Sequence, residues 1–271
     1  MLLELIGERE NHMAGKVVVI TGASGGIGAE LARQLAARGE KLVLAARREA
    51  ALKQVAAACG PDALALTTDV TRRVDVDHLR DEALRAFDHV DVWVNNAGRG
   101  IGRQVLDLTD EDFDAMMAVN VKAALYGMQA IMPHFKARGA GHVINISSAL
   151  GRIPFASYRS AYSAAKAALN SLSANARMDL RAQYPNIHVS VVMPPMVRTD
   201  FAKNALYGTP MPPGGFRQGT GSYGQTPDQA AAAIVNLIDH PRPEIYTDPG
   251  QAETAARYYA DVAAFEANMG R

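Results

Sequence analysis

Val17-Val-Val-Ile-Thr-Gly-Ala-Ser-Gly-Gly-Ile-Gly28 is the stretch that most narrows what this chain can fold into. Four consecutive β-branched residues, Val17 to Ile20, make a run too short and too apolar for a solvent-facing strand, which predicts a strand covered on both faces. Ala29 to Arg38 follows with Leu31, Ala32 and Leu35 at helical spacing, and Gly39 stands where a C-terminal cap is expected. Between strand and helix, Gly22, Gly26 and Gly28 let the chain turn tightly and let backbone approach another group closely. Amides at such a helix start, with the helix dipole behind them, hold an anion such as a pyrophosphate. The competing reading is an ordinary glycine-rich connection. The position after a strand, before a helix and at the head of an alternating pattern favours nucleotide binding.

That alternation continues. Strands are predicted at 41–46, 62–68, 91–94, 142–146, 188–193 and 244–247, with helices at 49–58, 74–87, 160–182 and from Thr226 onward. A capping box at Thr109-Asp-Glu-Asp112 opens a long helix from Glu111 towards Lys136, and Thr226-Pro-Asp-Gln229 caps another. Strands and helices at this pitch imply parallel pairing with right-handed crossovers. The expected fold is α/β: a single-domain, doubly wound, Rossmann-type and mostly parallel seven-stranded sheet with helices on both faces. Residues 1–13 read as an N-terminal extension, 14–250 as the domain, and 251–271 as a C-terminal helix or tail, with one helix over Gln251 to Asn268. Nine of the seventeen residues from Gly208 to Gly224 are Gly or Pro. The 200–225 segment is therefore expected to be a flexible substrate loop, with Tyr207, Phe216 and Tyr223 over an apolar pocket.

Composition removes several function classes. Lys+Arg and Asp+Glu balance at 28 each, so no basic excess recommends nucleic acid or an anionic membrane as partner. No apolar run approaches a bilayer's thickness. The single cysteine, Cys59, cannot form an internal disulfide, which suits a reducing, cytoplasmic setting.

The glycine spacing, Thr-Gly-x-x-x-Gly-x-Gly, resembles that of the short-chain dehydrogenase/reductase family, and further motifs in the family's order extend the resemblance over residues 14 to 200. Asp69-Val70 matches the adenine-side contact and Asn95-Asn-Ala-Gly98 the Asn-Asn-Ala-Gly motif. Asn120 matches the family asparagine that opens a helix locally and supports a water path to the lysine. Ser148 is the second serine of the Ile-Ser-Ser signature, and Tyr162-Ser-Ala-Ala-Lys166 is the acid/base pair. The resemblance implies a nicotinamide cofactor contacted by Gly22, Ser24, Gly26, Ile27, Gly28, Asp69, Val70, Asn95, Ala97, Tyr162, Lys166, Pro194, Val197 and Thr199. It also implies a homodimer or homotetramer through the two long helices.

The residues carry their own chemistry. Positions four apart share a helix face, so the Tyr162 phenol and the Lys166 ammonium address one small site. A free phenol titrates near pH ~10, and a nearby ammonium together with an oxidised nicotinamide favours the phenolate. Ser148 closes a strand at the edge where ligands of such folds collect, and can hold a substrate oxygen while Tyr162 exchanges the proton. The Ser148 to Tyr162 separation is one residue longer than usual in the family, which leaves Ser147 as a rival. Tyr158 lacks a lysine four residues on and reads as pocket lining. Arg47 and Arg48 stand where an acidic residue would bind the adenosine ribose; two guanidiniums suit a 2′-phosphate instead, or are simply solvated. Pro195 replaces the family's glycine after Pro194 and stiffens that turn.

These expectations describe an NADP(H)-dependent oxidoreductase, with NAD(H) possible as cofactor, acting on an apolar ketone, aldehyde or secondary alcohol without a metal. The alternatives are a nucleotide-binding or redox-sensing regulator without turnover, and an epimerase or dehydratase. Regulators on this fold tend to lose the tyrosine or lysine, whereas this chain keeps both. Epimerases and dehydratases are usually longer and have a shorter glycine spacing.

Overall fold

The structure is a computed structural model that describes residues 15–208 and 224–268. The N-terminal extension and most of the predicted substrate loop, including Phe216 and Tyr223, lie outside the described residues.

Seven strands, β1 (Val17–Thr21), β2 (Lys41–Ala46), β3 (Ala63–Thr67), β4 (Val92–Asn95), β5 (Gly141–Ile146), β6 (Ile187–Met193) and β7 (Glu244–Tyr246), form one sheet in the order β3-β2-β1-β4-β5-β6-β7. All six pairings are parallel, so no antiparallel edge qualifies the expected architecture. β1 is central to its half, with Val19 opposite Val43 on one side and Trp93 on the other.

The run Val17 to Ile20 is wholly inaccessible, and its alternation divides the core. Val18 and Ile20 pack with Leu31 and Leu35 of α1 (Gly26–Ala36) and Ile234 of α7 (Pro227–Asp239); Leu52 of α2 (Glu49–Cys59) completes that face. Val17 and Val19 face the opposite layer, α3 (Arg73–Phe87), α5 (Ala123–Arg138) and α6 (Ser160–Leu180), through Leu79, Phe135 and Leu180. Each such side chain contributes about 1.5–3 kcal/mol by leaving water, which is why strands with two covered faces need no polar alternation.

α4 (Asp110–Met117) begins at the predicted capping box, in which Thr109 and Asp112 satisfy each other's backbone amides. The long helix then widens into a π-turn over Ala118–Lys122 before α5 continues it. The predicted C-terminal helix is interrupted: α8 (Gly250–Ala260) and α9 (Val262–Ala267) meet at Asp261, whose extended backbone (φ −156°, ψ 94°) and side chain cap Ala264 N–H at 2.9 Å. An aspartate offers more to a helix start than to a helix interior, and here that preference breaks the periodicity. Among the described residues no helix is long and apolar enough to cross a membrane.

Candidate active site

The parallel sheet gathers the ends of β1, β2, β4, β5 and β6 at one edge. At the end of β1, Gly22 (φ +67°) and Gly26 (φ +57°) take left-handed conformations that side chains resist. Gly28 is required for another reason: a Cβ there would stand 2.5 Å from Asn96 Nδ2 and 2.7 Å from the Gly22 carbonyl. Asn96 fastens the turns together, donating to the Thr21 and Gly22 carbonyls at 2.8 and 3.2 Å, while Thr21 Oγ1 accepts the Asn96 and Ala97 amides. α1 starts at Gly25 with no side-chain cap, leaving its first-turn amides to another partner.

Of the expected nucleotide-side residues outside the glycine turn, Arg48 and Thr199 reach it, while Asn95 is an exception that turns inward. Arg48 crosses the turn, its Nε donating to Ser24 Oγ at 3.2 Å and a terminal nitrogen to the Ser24 carbonyl at 3.3 Å. Arg47 is exposed and its charge acts on Asp69. Burial opposes the Asp69 charge, but hydrogen bonds from Thr71 and the Arg47 and Arg72 charges outweigh it and lower the carboxyl's pKa. Val70 is buried beside it. Thr199 covers Gly26 from the far side, its methyl 3.3 Å from where a Cβ would be, and Val197 bridges Gln225. The Pro194 carbonyl accepts Ala149 N–H at 2.9 Å, joining the β6 exit to the segment after β5. Asn95 is the exception: its amide is spent in the interior on Trp93 Nε1 (2.8 Å), Asn145 (2.9 Å) and the Ala124 carbonyl (3.3 Å).

On the reaction side, the Ser148 hydroxyl is near enough to Tyr162 to favour its phenolate. Ser148 Oγ is itself fixed by Leu150 N–H at 3.2 Å. Ser147, the rival, turns the other way and donates to the Lys166 carbonyl at 3.2 Å. Lys166 Nζ lies 5.6 Å from the Tyr162 ring centroid and donates to the Ile146 carbonyl at 2.8 Å. Asn120 sits in the π-turn, where its side chain exchanges hydrogen bonds with the Arg99 backbone (3.2 and 2.9 Å) and donates to the Met116 carbonyl. Gly98 lies between Asn120 and Lys166: a Cβ on it would meet Oδ1 of the former at 2.9 Å and Nζ of the latter at 3.5 Å.

The electrostatics differ from the simple expectation of a phenol made acidic by its lysine. Burial pushes Tyr162 up to about 12, against the pull of the Ser148 hydroxyl and the Arg159 charge. Burial also pushes Lys166 down to about 7. Both groups are nearly inaccessible, and removing a charge from water costs more here than the neighbours return. The site thus holds a protonated phenol beside an amine that changes charge near neutrality.

Sequence reasoning missed the wall around Tyr162. Phe201 stands edge-on to it at 5.4 Å, in a small apolar cluster with Ile101, Met116 and Leu150. Arg159 donates to the Ile101 carbonyl and lies over the Tyr158 and Phe201 rings. Gly100 makes room for both, since a Cβ would come within 2.6 Å of Arg159 and 2.9 Å of Phe201. Tyr207, expected over the pocket, instead donates to Asp112 at 2.8 Å and lies under Arg103.

Residues 16–208 match the family model described as short chain dehydrogenase. The chain belongs to the short-chain dehydrogenase/reductase family. This short-chain family member is 33% identical over 235 residues to the uncharacterized oxidoreductase YxnA of Bacillus subtilis (strain 168), an alignment covering 85% of this chain and 65% of YxnA. A short chain dehydrogenase/reductase from Burkholderia phymatum, solved in complex with NAD, superposes with a TM-score of 0.82 at 28% identity, covering 93% of this chain and 95% of that one. A short chain dehydrogenase from Burkholderia cenocepacia J2315, solved in complex with NADP, gives 0.78 at 26% identity over 95% and 98%.

Proposed function

We propose that this chain is an NADP(H)-dependent oxidoreductase that interconverts an apolar ketone or aldehyde and the corresponding alcohol. The observation that carries the reading is the buried Tyr162 phenol, beside Ser148 and one helical turn from Lys166, at the sheet edge that also holds the glycine turn.

The residues fit the cofactor. The uncapped start of α1 offers Gly26, Ile27 and Gly28 amides to a pyrophosphate, and Gly26 keeps the surface beneath it clear. Arg48 and Arg47 would meet a 2′-phosphate, with Asp69 and Val70 on the adenine side and Ala97, Pro194, Val197 and Thr199 along the remaining length. Bound NADPH would supply the hydride. The chain's own residues supply the rest. In carbonyl reduction, Tyr162, protonated because burial disfavours its phenolate, gives its proton to the substrate oxygen, and Ser148 orients that oxygen. Lys166, whose charge is labile near pH 7, is suited to passing a proton inward, and Asn120 holds the adjoining π-turn open. The cluster of Ile101, Leu150 and Phe201 favours an apolar group beside the carbonyl.

The test follows NADPH absorbance with a panel of benzaldehyde, aryl ketones, steroids, sugars and acyl thioesters. Tyr162→Phe is expected to lower turnover by about 10³-fold or more while leaving NADPH affinity unchanged. Full activity in that variant, or a wild-type chain with no affinity for either nicotinamide dinucleotide, overturns the reading.

A further inference from the structure

Asn170 lies on α6 one turn beyond Lys166, nearly inaccessible at 4% exposure. Its Nδ2 donates to the Gly151 carbonyl at 3.2 Å, and its Oδ1 has no hydrogen-bond partner. Because a carbonyl can only accept, the Gly151 oxygen fixes which end of the amide faces it. A buried acceptor left unsatisfied costs about 1–3 kcal/mol, and a leucine here would exchange that cost for an unpaired Gly151 carbonyl. Stability alone therefore does not account for an asparagine here.

What the amide holds is the turn after Ser148. Residues Ala149–Gly151 form a single 3₁₀ turn closed by Gly151 N–H on the Ser148 carbonyl at 3.0 Å. Within it Leu150 N–H anchors Ser148 Oγ, and that hydroxyl meets Tyr162. The turn lies flush against the helix: a Cβ on Gly151 would be 2.9 Å from both Asn170 Nδ2 and the Lys166 carbonyl carbon. With Asn145 Nδ2 on Ser173 Oγ, Lys166 Nζ on the Ile146 carbonyl and Ser147 Oγ on the Lys166 carbonyl, this makes four side-chain bonds between the end of β5 with its exit and α6. Asn170 supplies the one beyond Ser148, where the connection to Tyr162 carries its additional residue.

We infer that Asn170 is a positioning residue, which sets where the Ser148 hydroxyl stands beside Tyr162 by holding the Gly151 carbonyl and through it the Leu150 amide. The inference rests on the reaction proposed above. Displacing the Ser148 hydroxyl would remove one of the influences that lower the phenol's pKa. Among the described residues the charge acting on Tyr162 is that of Arg159; Lys166 Nζ lies 5.6 Å from its ring centroid, and the packed segments on its other sides present Phe201, Ile101 and Met116.

Asn170→Leu decides it, because the variant removes the donor yet suits the buried face. The expected result is a melting temperature close to the wild type's and unchanged NADPH affinity. With benzaldehyde as probe, kcat falls about 10- to 100-fold at little change in KM, and the pH–rate midpoint moves upward. Asn170→Gln, which restores a donor on a longer arm, is expected to recover part of kcat. Unchanged kcat and pH profile in Asn170→Leu, or a kcat loss that merely follows a lowered melting temperature, overturns the inference. Should the wild type reduce no carbonyl, the reaction reading fails separately, and hydrogen exchange over residues 148–152 still decides: faster exchange at Leu150 in Asn170→Leu supports the brace, unchanged exchange refutes it.

Discussion

At the residue scale, cofactor preference comes down to Arg47 and Arg48. Arg48 already rests on Ser24, so its guanidinium stands beside the glycine turn, while Arg47 projects into solvent next to Asp69. Replacing both with glutamine is expected to weaken NADPH binding about 10- to 100-fold and NADH binding by no more than about 3-fold, measured by fluorescence titration. Equal losses would show that neither arginine reaches a 2′-phosphate. Spacing placed Tyr162 and Lys166 on one helix face, and the family's motifs grouped them with Ser148 and the glycines. They were not enough to separate Asn95 from Asn96. Adjacent strand residues face opposite sides, and only the pairing of β4 with β5 reveals that Asn95 is spent on Trp93 and Asn145 while Asn96 binds the glycine turn. Gly100, Phe201 and Arg159 escaped for the same reason, coming from three distant segments that meet only in the folded chain.

At the scale of the element, caps were legible in the letters, the opening of the long helix at Asn120 only through the family resemblance, and the break at Asp261 not at all. Thr226 and Gln229 satisfy each other's backbone amides at 3.1 and 3.0 Å, with Pro227 at the first helical position, as their letters suggest. Thr226→Ala is expected to cost about 1 kcal/mol, read as a lower denaturant midpoint at unchanged m-value. The π-turn over Ala118–Lys122 has no comparable signature of its own. Asn120 earns its place there by bonding the Arg99 backbone, a contact between elements that periodicity does not encode. Asp261 is the intermediate case: a good capping residue was present, but Tyr258, Val262 and Phe265 at helical spacing favoured continuity. The structure keeps that contact across the break, with the Tyr258 and Phe265 rings at 5.4 Å.

For the molecule as a whole, the sheet edge opposite the active site has a bearing on stability. His142 of β5 is buried with Nε2 2.8 Å from Ser190 Oγ, and Ser190 donates its own hydrogen to the Arg242 carbonyl at 2.6 Å. Nε2 must then carry the imidazole hydrogen, and Nδ1 is left without a partner. Burial, with the His188 and Lys16 charges adding to it, lowers the folded-state pKa from 6.5 to about 3. Below pH 6.5 the unfolded chain takes up a proton that the folded chain refuses, so this group's contribution to stability is complete above the unfolded value and declines as pH falls towards 3. Between pH 7 and pH 5 the loss from this residue is about 2 kcal/mol. Denaturant titrations at the two pH values should show a smaller difference for His142→Gln than for the wild type; an equal difference would place the sensitivity elsewhere. The strand order has a consequence of another kind. As the chain is synthesised, β1 to β4 can join as soon as Asn95 has emerged, but the edge of β4 that pairs with β5 must wait for it, with a long helical rod made in between. A nascent chain halted in that interval would present an open, oily strand margin, the kind of surface on which ribosome-associated chaperones and sister chains compete.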